Sequence, residues 1–395
     1  MTAVPLTDIA APRRIAILTN RIPPYRLPVY EALLREEPAE YRFFLSDPLD
    51  RSDPGVPGAL PVAHSAGVDF TGRTVHRAAR TVQEETVHVP VRLPAALMRF
   101  RPDLLISGEF GLRSFTALAV ARMLRVPLAL SSEEIDEKGR EISPARRLLR
   151  RTLLPRADAF LAWGKPAAEH ILGRGIPPDR VYLCAQAVDH ASWSAMAGRV
   201  DRERFRSERG LKGRVFLAAG RLVALKGFDR FLRAWAELPR EVRGRHTVVI
   251  VGGGAEETCL RGIAREAGLH EAVFGGLCAQ KELAGWYAAA DVFVFPSLVD
   301  VWGLVVNEAM ACGLPVLAST RAGASRGLVE GSGAGELFDP LDRERFASLL
   351  LRWAESPPSF LPETARLAAS RHDFAVTVSA FRRCIADLSG RGCGV

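Results

Sequence analysis

The sequence lacks the features that mark several common classes of protein. Its six cysteines are scattered and form no CxxC pair, so a structural zinc site is not expected and reduced cytosol is the simplest setting. The N-terminal stretch has no apolar core of signal-peptide length, and no uninterrupted apolar run is long enough to span a membrane. We therefore expect a cytoplasmic globular protein.

Lysine is also scarce. Only five of the 53 basic residues are Lys, and the formal net charge of +8 is spread along the chain. Basic and aromatic residues do not interleave, so no nucleic-acid partner is expected, whereas anionic substrates or an anionic membrane surface both fit the charge. The hydrophobic fraction of 48% and the charged fraction of 25% are typical of a globular protein, and 395 residues favour two domains.

The first strand–turn–helix pattern has no GxGxxG, the phosphate-binding turn of NAD and FAD sites. Residues 14–20 predict a buried strand, residues 21–26 a turn stiffened by two prolines, and residues 27–37 a helix. This pattern begins a Rossmann-like half that disfavours a dinucleotide. Arg21 and Arg26 either face an acceptor or a phosphate, or are exposed loop arginines.

Two further predicted strands in the N-terminal half end in carboxylates. Residues 102–111 predict a strand that ends at Glu109, and residues 126–134 predict one that ends at Glu133. Ligands of open α/β sheets bind at the carboxyl ends of the strands, which places both acids in a cleft unless they are solvated loop acids. Residues 48–85 are rich in Pro, Gly and charge and predict a long surface excursion.

Two charged stretches separate the halves of the chain. Residues 143–156 predict an amphipathic helix whose arginines form a solvated face, with peripheral contact to an anionic membrane at its inner face as the alternative. Residues 190–210 lose apolar periodicity, which predicts a linker. A second series of strands and helices follows, so we expect two doubly wound α/β domains facing each other across a cleft, divided after residue 195.

Residues 291–319 form the clearest βαβ unit of the second series: a buried strand, a loop, a helix and another strand. Three backbone amides at the helix start have no intrahelical acceptor and are available to an anion. They belong to Gly303, Leu304 and Val305.

Two acids belong to the same unit. Asp300 precedes the helix as a candidate N-cap, and Glu308 lies within it among apolar residues, where an unpaired carboxylate is costly. Together with the amides they suit a nucleotide sugar, with diphosphate on the amides, ribose hydroxyls on Glu308 and sugar hydroxyls near Asp300. The alternative is that Asp300 only caps the helix and Glu308 pairs with an arginine.

A basic loop within residues 220–231 connects a strand to a helix. Arg221 and Lys226 lie five positions apart in it, and a forked guanidinium beside a compact ammonium suits a diphosphate. The chain contains no DxD triplet for a divalent ion, so these side chains are expected to neutralise a departing nucleotide diphosphate in place of a metal. Surface ion pairing at a helix end is the weaker alternative.

The segments GRLVALKG, VVIVGGG, FGGL and PSLVDVWGLVVNEAMACGLPV, in this order, resemble the family 4 retaining glycosyltransferases of the GT-B fold. The resemblance is specific over residues 214–345 and only architectural before them. It implies that Arg221 and Lys226 bind the donor diphosphate. The other donor-binding residues that it implies are Gly220, Gly303, Leu304, Val305 and Glu308.

The chain departs from the family pattern at two positions. The E-x7-E motif of the family is here D-x7-E, with Asp300 on the donor sugar and Glu308 on the ribose. Many members carry a His at the end of an N-terminal strand, where this sequence has Glu133. Front-face displacement in this family depends on positioning and charge stabilisation more than on a strong base, so a missing His does not exclude activity.

The resemblance implies a retaining, metal-independent glycosyltransferase that needs no cofactor and uses a nucleotide-diphosphate sugar, most plausibly linked to UDP. Residues 1–195 would bind a hydroxyl acceptor through Arg21, Arg26 and Glu109, residues 196–372 would bind the donor, and residues 373–395 would form a helix that packs back on the N-terminal domain. The expected catalytic residues are Arg221, Lys226, Asp300 and Glu133. The alternatives are a nucleotide-sugar 2-epimerase of the same fold and an inactive nucleotide-sugar-binding protein.

Overall fold

The structure, a computed structural model, describes residues 14–46, 60–64, 67–76, 81–134 and 144–390. These residues form two compact units. The first contains most of the chain up to Ala185 and resumes at Phe374, and the second contains Gln186–Asp373. The chain therefore leaves the first unit at Ala185, earlier than the predicted division after residue 195.

The strands, in chain order, are β1 (Arg14–Thr19), β2 (Glu40–Leu45), β3 (Val62–His64), β4 (Val68–His76), β5 (Thr81–Val89), β6 (Leu104–Gly108), β7 (Leu128–Ser132), β8 (Ala159–Trp163), β9 (Val181–Cys184), β10 (Val215–Ala219), β11 (Thr247–Val251), β12 (Ala272–Gly276), β13 (Val292–Phe295), β14 (Val316–Ser319) and β15 (Gly335–Phe338).

The helices are α1 (Leu27–Glu36), α2 (Leu93–Phe100), α3 (Leu112–Leu124), α4 (Pro144–Leu153), α5 (Lys165–Leu172), α6 (His190–Gly198), α7 (Arg202–Glu208), α8 (Phe228–Ala236), α9 (Arg240–Arg243), α10 (Glu257–Glu266), α11 (Gln280–Ala289), α12 (Leu304–Ala311), α13 (Arg343–Glu355), α14 (Pro362–Ser370) and α15 (Phe374–Gly390).

Seven strands of the first unit form a parallel sheet in the order β3–β2–β1–β6–β7–β8–β9. Each face of the sheet packs on its own apolar core. Because β8 is buried on both faces, its sequence is the continuous apolar run AFLAW. The strand order reverses at β1, with β2 on one side and β6 on the other. Such a reversal opens a crevice at the carboxyl ends of β1 and β6.

Six strands of the second unit form a parallel sheet in the order β12–β11–β10–β13–β14–β15. The order reverses between β10 and β13, where Phe216 lies opposite Val292 and Leu217 lies opposite Phe293. Two apolar clusters cover the two faces of this sheet. The crevice of the second unit therefore lies at the carboxyl ends of β10 and β13, beside the basic loop and the loop that carries Asp300.

The stretch expected to be a surface excursion, residues 48–85, contains strands where the structure describes it. β3 extends the first sheet, and β4 and β5 pair with each other in a separate two-stranded sheet. The sequence of β5 is largely polar, so a period-two apolar signal was absent. Residues 48–59, 65–66 and 77–80 of this stretch lie outside the described residues.

The linker expected at residues 190–210 is wrong, because α6 and α7 occupy it. Asp189 accepts the amide of Ser192 at 2.8 Å, and Asp201 accepts the amide of Arg204 at 3.0 Å, so each helix has a carboxylate N-cap. Trp193 on α6 is buried in the core of the second unit. α6 buries one aromatic side chain and α7 buries none, so neither short helix gives a clear periodic signal, although the Asp caps were visible in the sequence.

The solvated face expected for the arginine-rich helix is wrong for Arg150. Its side chain is buried on α4 and forms an ion pair with Glu134, which follows β7. The Oε2 atom of Glu134 also lies 3.9 Å from Nε2 of the buried His170. Arg150 therefore holds α4 against the first unit, while Arg146, Arg147 and Arg151 are exposed or partly exposed.

The last helix, α15, belongs to the first unit although it follows the second unit in sequence. Tyr182 on β9 donates its hydroxyl to Asp387 at 2.5 Å, and Thr377 donates to the carbonyl of Ala185 at 2.9 Å. Phe381 is buried in the first unit's core, where its ring lies 6.3 Å from that of Tyr30. These contacts place α15 in the unit that contains β1.

Candidate functional site

The basic loop of the second unit begins where β10 ends. Its 3₁₀ turn Ala224–Lys226 is followed by Gly227, whose φ of 64° is left-handed and whose Cβ, if present, would meet the carbonyl of Pro296. The amide of Leu298 donates to the carbonyl of Leu225 at 2.8 Å, and the buried Ser297 hydroxyl donates to the same carbonyl at 3.2 Å. The loop after β10 is therefore fixed directly to the loop after β13.

Lys226 and Asp300 form an ion pair across these two loops. Their side chains are 19% and 14% exposed, so the pair is partly shielded from solvent, and Nζ of Lys226 lies 5.9 Å from the centre of the Phe295 ring. The sequence placed these residues in one site without indicating that they touch. In the structure, the carboxylate compensates the lysine charge at the crevice of the second unit.

The predicted N-cap role of Asp300 is wrong. The N-cap residue of α12 is Gly303, and no side chain caps the helix. A carboxylate oxygen of Asp300 instead accepts the amide of Trp302 at 3.4 Å, and its backbone carbonyl accepts the amide of Gly323 at 3.2 Å. Asp300 thus shapes the loop rather than the helix end, which keeps the helix amides available.

The N-terminus of α12 is an anion-binding arrangement. The amides of Leu304 and Val305 precede the first intrahelical bond, in which Val306 donates to the carbonyl of Gly303 at 2.9 Å. Gly303 has a φ of 102°, and a Cβ there would overlap the ring of Phe295. Only glycine allows the chain to enter the helix so close to that ring, and the entry presents the amides and the positive end of the helix dipole.

Arg221 and Gly220 lie at the start of the basic loop. The Arg221 side chain is exposed and has no ion-pair partner among the described residues. Gly220 has a φ of 149° and donates its amide to the carbonyl of Val251 at 3.0 Å. The loop therefore offers one unpaired guanidinium beside the Lys226–Asp300 pair.

Glu308 lies one helical turn inside α12 and is partly buried. The Tyr287 hydroxyl donates to its Oε2 atom at 2.9 Å, and no arginine in the described part of the chain pairs with it. Burial raises the pKa of Glu308 to about 7, while the bond from Tyr287 opposes that rise. The expected alternative, pairing with an arginine, is wrong, and Glu308 remains a polar group held in place by a buried phenol.

Sequence reasoning did not find the residues that hold this loop in shape. The indole N–H of Trp302 donates to Oδ1 of Asn307 at 2.7 Å, and the Asn307 side-chain amide donates to the carbonyl of Gln186 at 2.9 Å. Asn307 is fully buried. The one feature of the sequence that could have indicated its role is that a polar residue stands among apolar residues in VVNEAM. This network fixes the turn between Asp300 and α12.

The three residues predicted on the acceptor side and the predicted catalytic residue Glu133 line one cavity of the first unit, with a volume of about 250 Å³. It opens at the carboxyl ends of β1, β6 and β7. The four residues are Arg21, Arg26, Glu109 and Glu133.

Arg26 and Glu133 form an ion pair inside this cavity. The guanidinium of Arg26 stacks over the Trp163 ring at 3.8 Å from its centre, and the indole of Trp163 donates to the Ser131 hydroxyl at 2.7 Å. The Glu133 carboxylate is therefore engaged by an arginine. Arg21 is exposed at the cavity rim.

Glu109 has a strained backbone. Its φ of 64° is left-handed, which is uncommon for a residue with a Cβ. Its amide donates to the carbonyl of Ser131 at 2.8 Å, and its carboxylate accepts the amide of Glu133 at 3.3 Å. These bonds join the carboxyl ends of β6 and β7 and hold the two acids side by side.

Arg113 is a second residue that sequence reasoning missed. It is 8% exposed, lies on α3, and donates to Asn20, to Ser46 at 3.0 Å and to the carbonyl of Gly108 at 2.9 Å. Asn20, Ser46 and Gly108 end or follow β1, β2 and β6. Arg113 therefore ties three strand ends together beneath the cavity, and a buried arginine has no distinctive sequence pattern.

Two family models match the chain, one in each half. Residues 26–184 match the model described as glycosyl transferase 4-like domain, and residues 200–370 match glycosyl transferases group 1. The D-inositol 3-phosphate glycosyltransferase of Frankia alni is 31% identical over 296 residues, which cover 67% of this chain and 72% of the relative.

Solved structures share the architecture at low identity. Anabaena Alr3699/HepE in complex with UDP aligns with a TM-score of 0.72 at 17% identity and covers 95% of this chain and 100% of that one. Sucrose-phosphate synthase from Thermosynechococcus elongatus aligns with a TM-score of 0.71 at 20% identity and covers 94% and 98%.

The two parallel-sheet units and these matches define a glycosyltransferase of the GT-B fold. The chain belongs to glycosyltransferase family 4, which confirms the resemblance read from the sequence. None of the helices in the described part of the chain combines the length and hydropathy needed to cross a bilayer.

Proposed function

We propose that this glycosyltransferase is a retaining, metal-independent enzyme that moves a sugar from a nucleotide-diphosphate donor, most plausibly a UDP-sugar, to a hydroxyl acceptor. One observation carries the proposal: Lys226 and Asp300 are in contact at the strand-order reversal of the second unit, beside the free amides of α12. Open α/β sheets bind ligands at this position.

The donor pyrophosphate is held between the basic loop and the start of α12. Lys226 exchanges the carboxylate of Asp300 for phosphate oxygens, the exposed Arg221 adds a second positive charge, and the amides of Leu304 and Val305 donate to the same anion. Asp300, released from Lys226, accepts hydroxyls of the donor sugar. Lys226 and Asp300 therefore each have a partner before and after binding.

The ribose hydroxyls bind Glu308, which Tyr287 holds in position. A carboxylate that accepts two hydroxyl groups is stabilised in its charged form, which offsets the burial that raises its pKa. A uridine nucleotide is supported by the structural neighbour HepE, which has been solved with UDP, with UDP and glucose, and with UDP-glucose.

The reaction requires charge stabilisation of the leaving diphosphate. Lys226, Arg221 and the helix dipole supply positive charge where another enzyme would use a divalent cation. In a front-face displacement the leaving phosphate accepts the proton of the incoming hydroxyl, so the chain needs no strong base. Glu133 then serves to hold Arg26 rather than to remove a proton.

The cavity of the first unit is the proposed acceptor site. It presents the Arg26–Glu133 pair, the strained Glu109 and the exposed Arg21, a mixed set that suits a hydroxylated acceptor. The curated relative from Frankia alni is named for D-inositol 3-phosphate. Inositol and D-inositol 3-phosphate are therefore the first pair of acceptors to compare.

Thermal unfolding with a panel of nucleotide sugars tests donor binding, since a ligand that binds only the folded state raises the melting temperature. UDP-sugars should raise it more than GDP-, ADP- or TDP-sugars, with and without EDTA. Nuclear magnetic resonance of the product should then show the anomeric configuration of the donor. No shift with any donor, or a product of inverted configuration, would refute the proposal.

Binding without turnover is the second candidate function, because Asp300 and Glu133 both depart from the family pattern. Donor binding with no transfer to a broad acceptor panel would favour it. The Asp300→Glu variant distinguishes an active enzyme from an inactive binding protein. If the natural chain is active, restoring the family residue should change its transfer rate by no more than a few-fold. Activity that appears only in the variant would identify the natural chain as inactive.

A further inference from the structure

The second unit contains a cavity of about 430 Å³ that the proposed donor site does not use. Its lining residues lie before or at the start of β10, β11 and β12, at the amino ends of these strands. The basic loop lies at the carboxyl end of β10. At about 3.3 Å per residue, the length of these strands separates the two places by roughly 16 Å. The cavity is therefore a distinct feature of the fold.

The lining is rich in positive charge and in hydrogen-bond donors. Its basic side chains are Lys212, Arg240, Arg243, His246 and His270. Lys212 and Arg240 pair with no carboxylate in the part of the chain that the structure describes.

Other arginines of this unit are paired. Examples are Arg202 with Asp291, Arg321 with Asp339, and Arg352 with Glu336. These arginines have carboxylate partners, whereas Lys212 and Arg240 at the cavity have none among the described residues. Cations that converge on a concave surface concentrate field lines and attract anions.

Arg243 is the buried member of the lining. It is 6% exposed, donates to the carbonyl of Ala267 at 3.3 Å, and its Nε lies 3.9 Å from Oε1 of Glu271. Glu271 is the one acid of the lining, and it also accepts the indole N–H of Trp235 at 3.1 Å. Because Glu271 is engaged by Arg243 and Trp235, it does not compensate Lys212 and Arg240.

His246 adds a neutral donor. Its Nδ1 atom accepts the amide of Arg214 at 3.0 Å, so in the neutral ring Nε2 carries the proton. Burial lowers the pKa of His246, and the charges of Arg245 and Arg214 lower it further. The lowered pKa favours the neutral imidazole, whose Nε2–H is available to donate one hydrogen bond.

We propose that this cavity binds a small phosphate-bearing anion, with Lys212 and Arg240 as its ionic partners and with Arg243 and His246 as hydrogen-bond donors. The volume lies within the roughly 300–1,000 Å³ of small-molecule sites. A cavity of this size with a single buried arginine suits a phosphate monoester or a pyrophosphate better than a polymer. The inference is independent of the proposed donor site.

Calorimetric titration of inorganic pyrophosphate into the full chain tests the proposal. The titration is run on the natural chain saturated with UDP and on Lys226→Ala, so that the donor site is filled in one case and weakened in the other. Saturable binding of one equivalent is expected in both. Titrations with inorganic phosphate and glucose 6-phosphate separate a bare anion from a phosphate ester as the preferred ligand.

The double variant Lys212→Gln/Arg240→Gln should bind pyrophosphate at least tenfold more weakly. The matched control is Arg343→Gln/Arg345→Gln, which removes two charges from exposed positions on α13 of the same unit and should bind normally. Equal loss in both double variants, retained binding in the first, or no saturable binding in the natural chain would overturn the proposal. Loss in Lys226→Ala alone would assign the anion to the donor loop.

Discussion

At the scale of single residues, the proposed donor site depends on an ion pair between positions 74 residues apart in sequence. The sequence identified Lys226 and Asp300 separately, because a lone lysine in a glycine-flanked loop and an acid before a helix each have a recognisable pattern. Their contact follows from the order of β10 and β13 in the sheet, which local pattern does not specify. Tyr287, the partner of Glu308, was hidden for the same reason.

Lys226→Ala should lower turnover about a hundredfold or more, because the developing negative charge on the diphosphate loses its closest cation. The measurement is kcat/KM for UDP-sugar transfer. Lys281→Ala, an exposed lysine on α11, is the control and should keep the natural rate. Equal rates in both variants would remove Lys226 from the mechanism.

The proposed ribose-binding role of Glu308 predicts that donor binding depends on pH. Its pKa of about 7 in the folded chain lies above the ordinary 4.5, so the carboxylate that the ribose requires forms only as pH rises through 7. UDP-glucose affinity should therefore increase by up to about tenfold between pH 6 and pH 8. Glu308→Gln should bind more weakly and without this dependence, and a parallel rise in the variant would contradict the ribose assignment.

The raised pKa of Glu308 also makes the stability of the fold depend on pH, and in the direction opposite to donor binding. A buried acid with a raised pKa favours the folded state while it is protonated, so its contribution is complete below pH 4.5 and is lost as pH rises through about 7. Folding thus favours the protonated form of Glu308, whereas ribose binding favours the ionised form. This opposition is expected where a group serves a site rather than the core.

At the scale of elements, the long apolar strands and the helices next to motifs were predictable, because β1, β6, β10 and β13 carry continuous apolar runs. The elements that were missed are those with weak patterns. β4 and β5 pair with each other, α6 is short and has no charged residue other than a histidine, and α7 is short and charged. Hydrophobic periodicity reveals an element only when one of its faces is buried. Helices that are stabilised mainly by N-caps or by one aromatic residue therefore cannot be predicted from it.

The backbone conformation at the start of α12 depends on Gly303. Gly303→Ala adds a Cβ that meets the Phe295 ring at a φ of 102°, so it should lower the melting temperature and weaken UDP binding. Gly331→Ala is the matched control, since Gly331 also has a left-handed φ, of 69°, but open space around its Cα. It should cost about 1 kcal/mol of stability from backbone strain alone and leave UDP binding unchanged.

At the scale of the whole molecule, the chain builds two parallel sheets and then returns to the first with α15. Two α/β series were predictable from the alternation of strands and helices, whereas the exit at Ala185 was not. Trp193 packs on Tyr287 at 5.6 Å between ring centres, which places α6 in the second unit. The position of α6 thus follows from contacts with residues distant in sequence, which local pattern does not specify.

Phe381→Ala tests whether α15 is part of the core of the first unit. This ring is 1% exposed in the core of the first unit, so its loss should cost about 3–5 kcal/mol of stability. UDP affinity, a property of the second unit, should be unchanged at temperatures where the variant is folded. Val376→Ala, at a position that is 40% exposed on the same helix, is the control and should melt as the natural chain does.

The most direct measurement of the central claim is a crystal structure of the chain soaked with UDP-glucose in a buffer that contains EDTA. The account predicts the pyrophosphate between Lys226 and the amides of Leu304 and Val305, with the ribose hydroxyls on Glu308. A nucleotide bound elsewhere in the chain, or one that enters this position only when a divalent cation bridges it, would contradict the account.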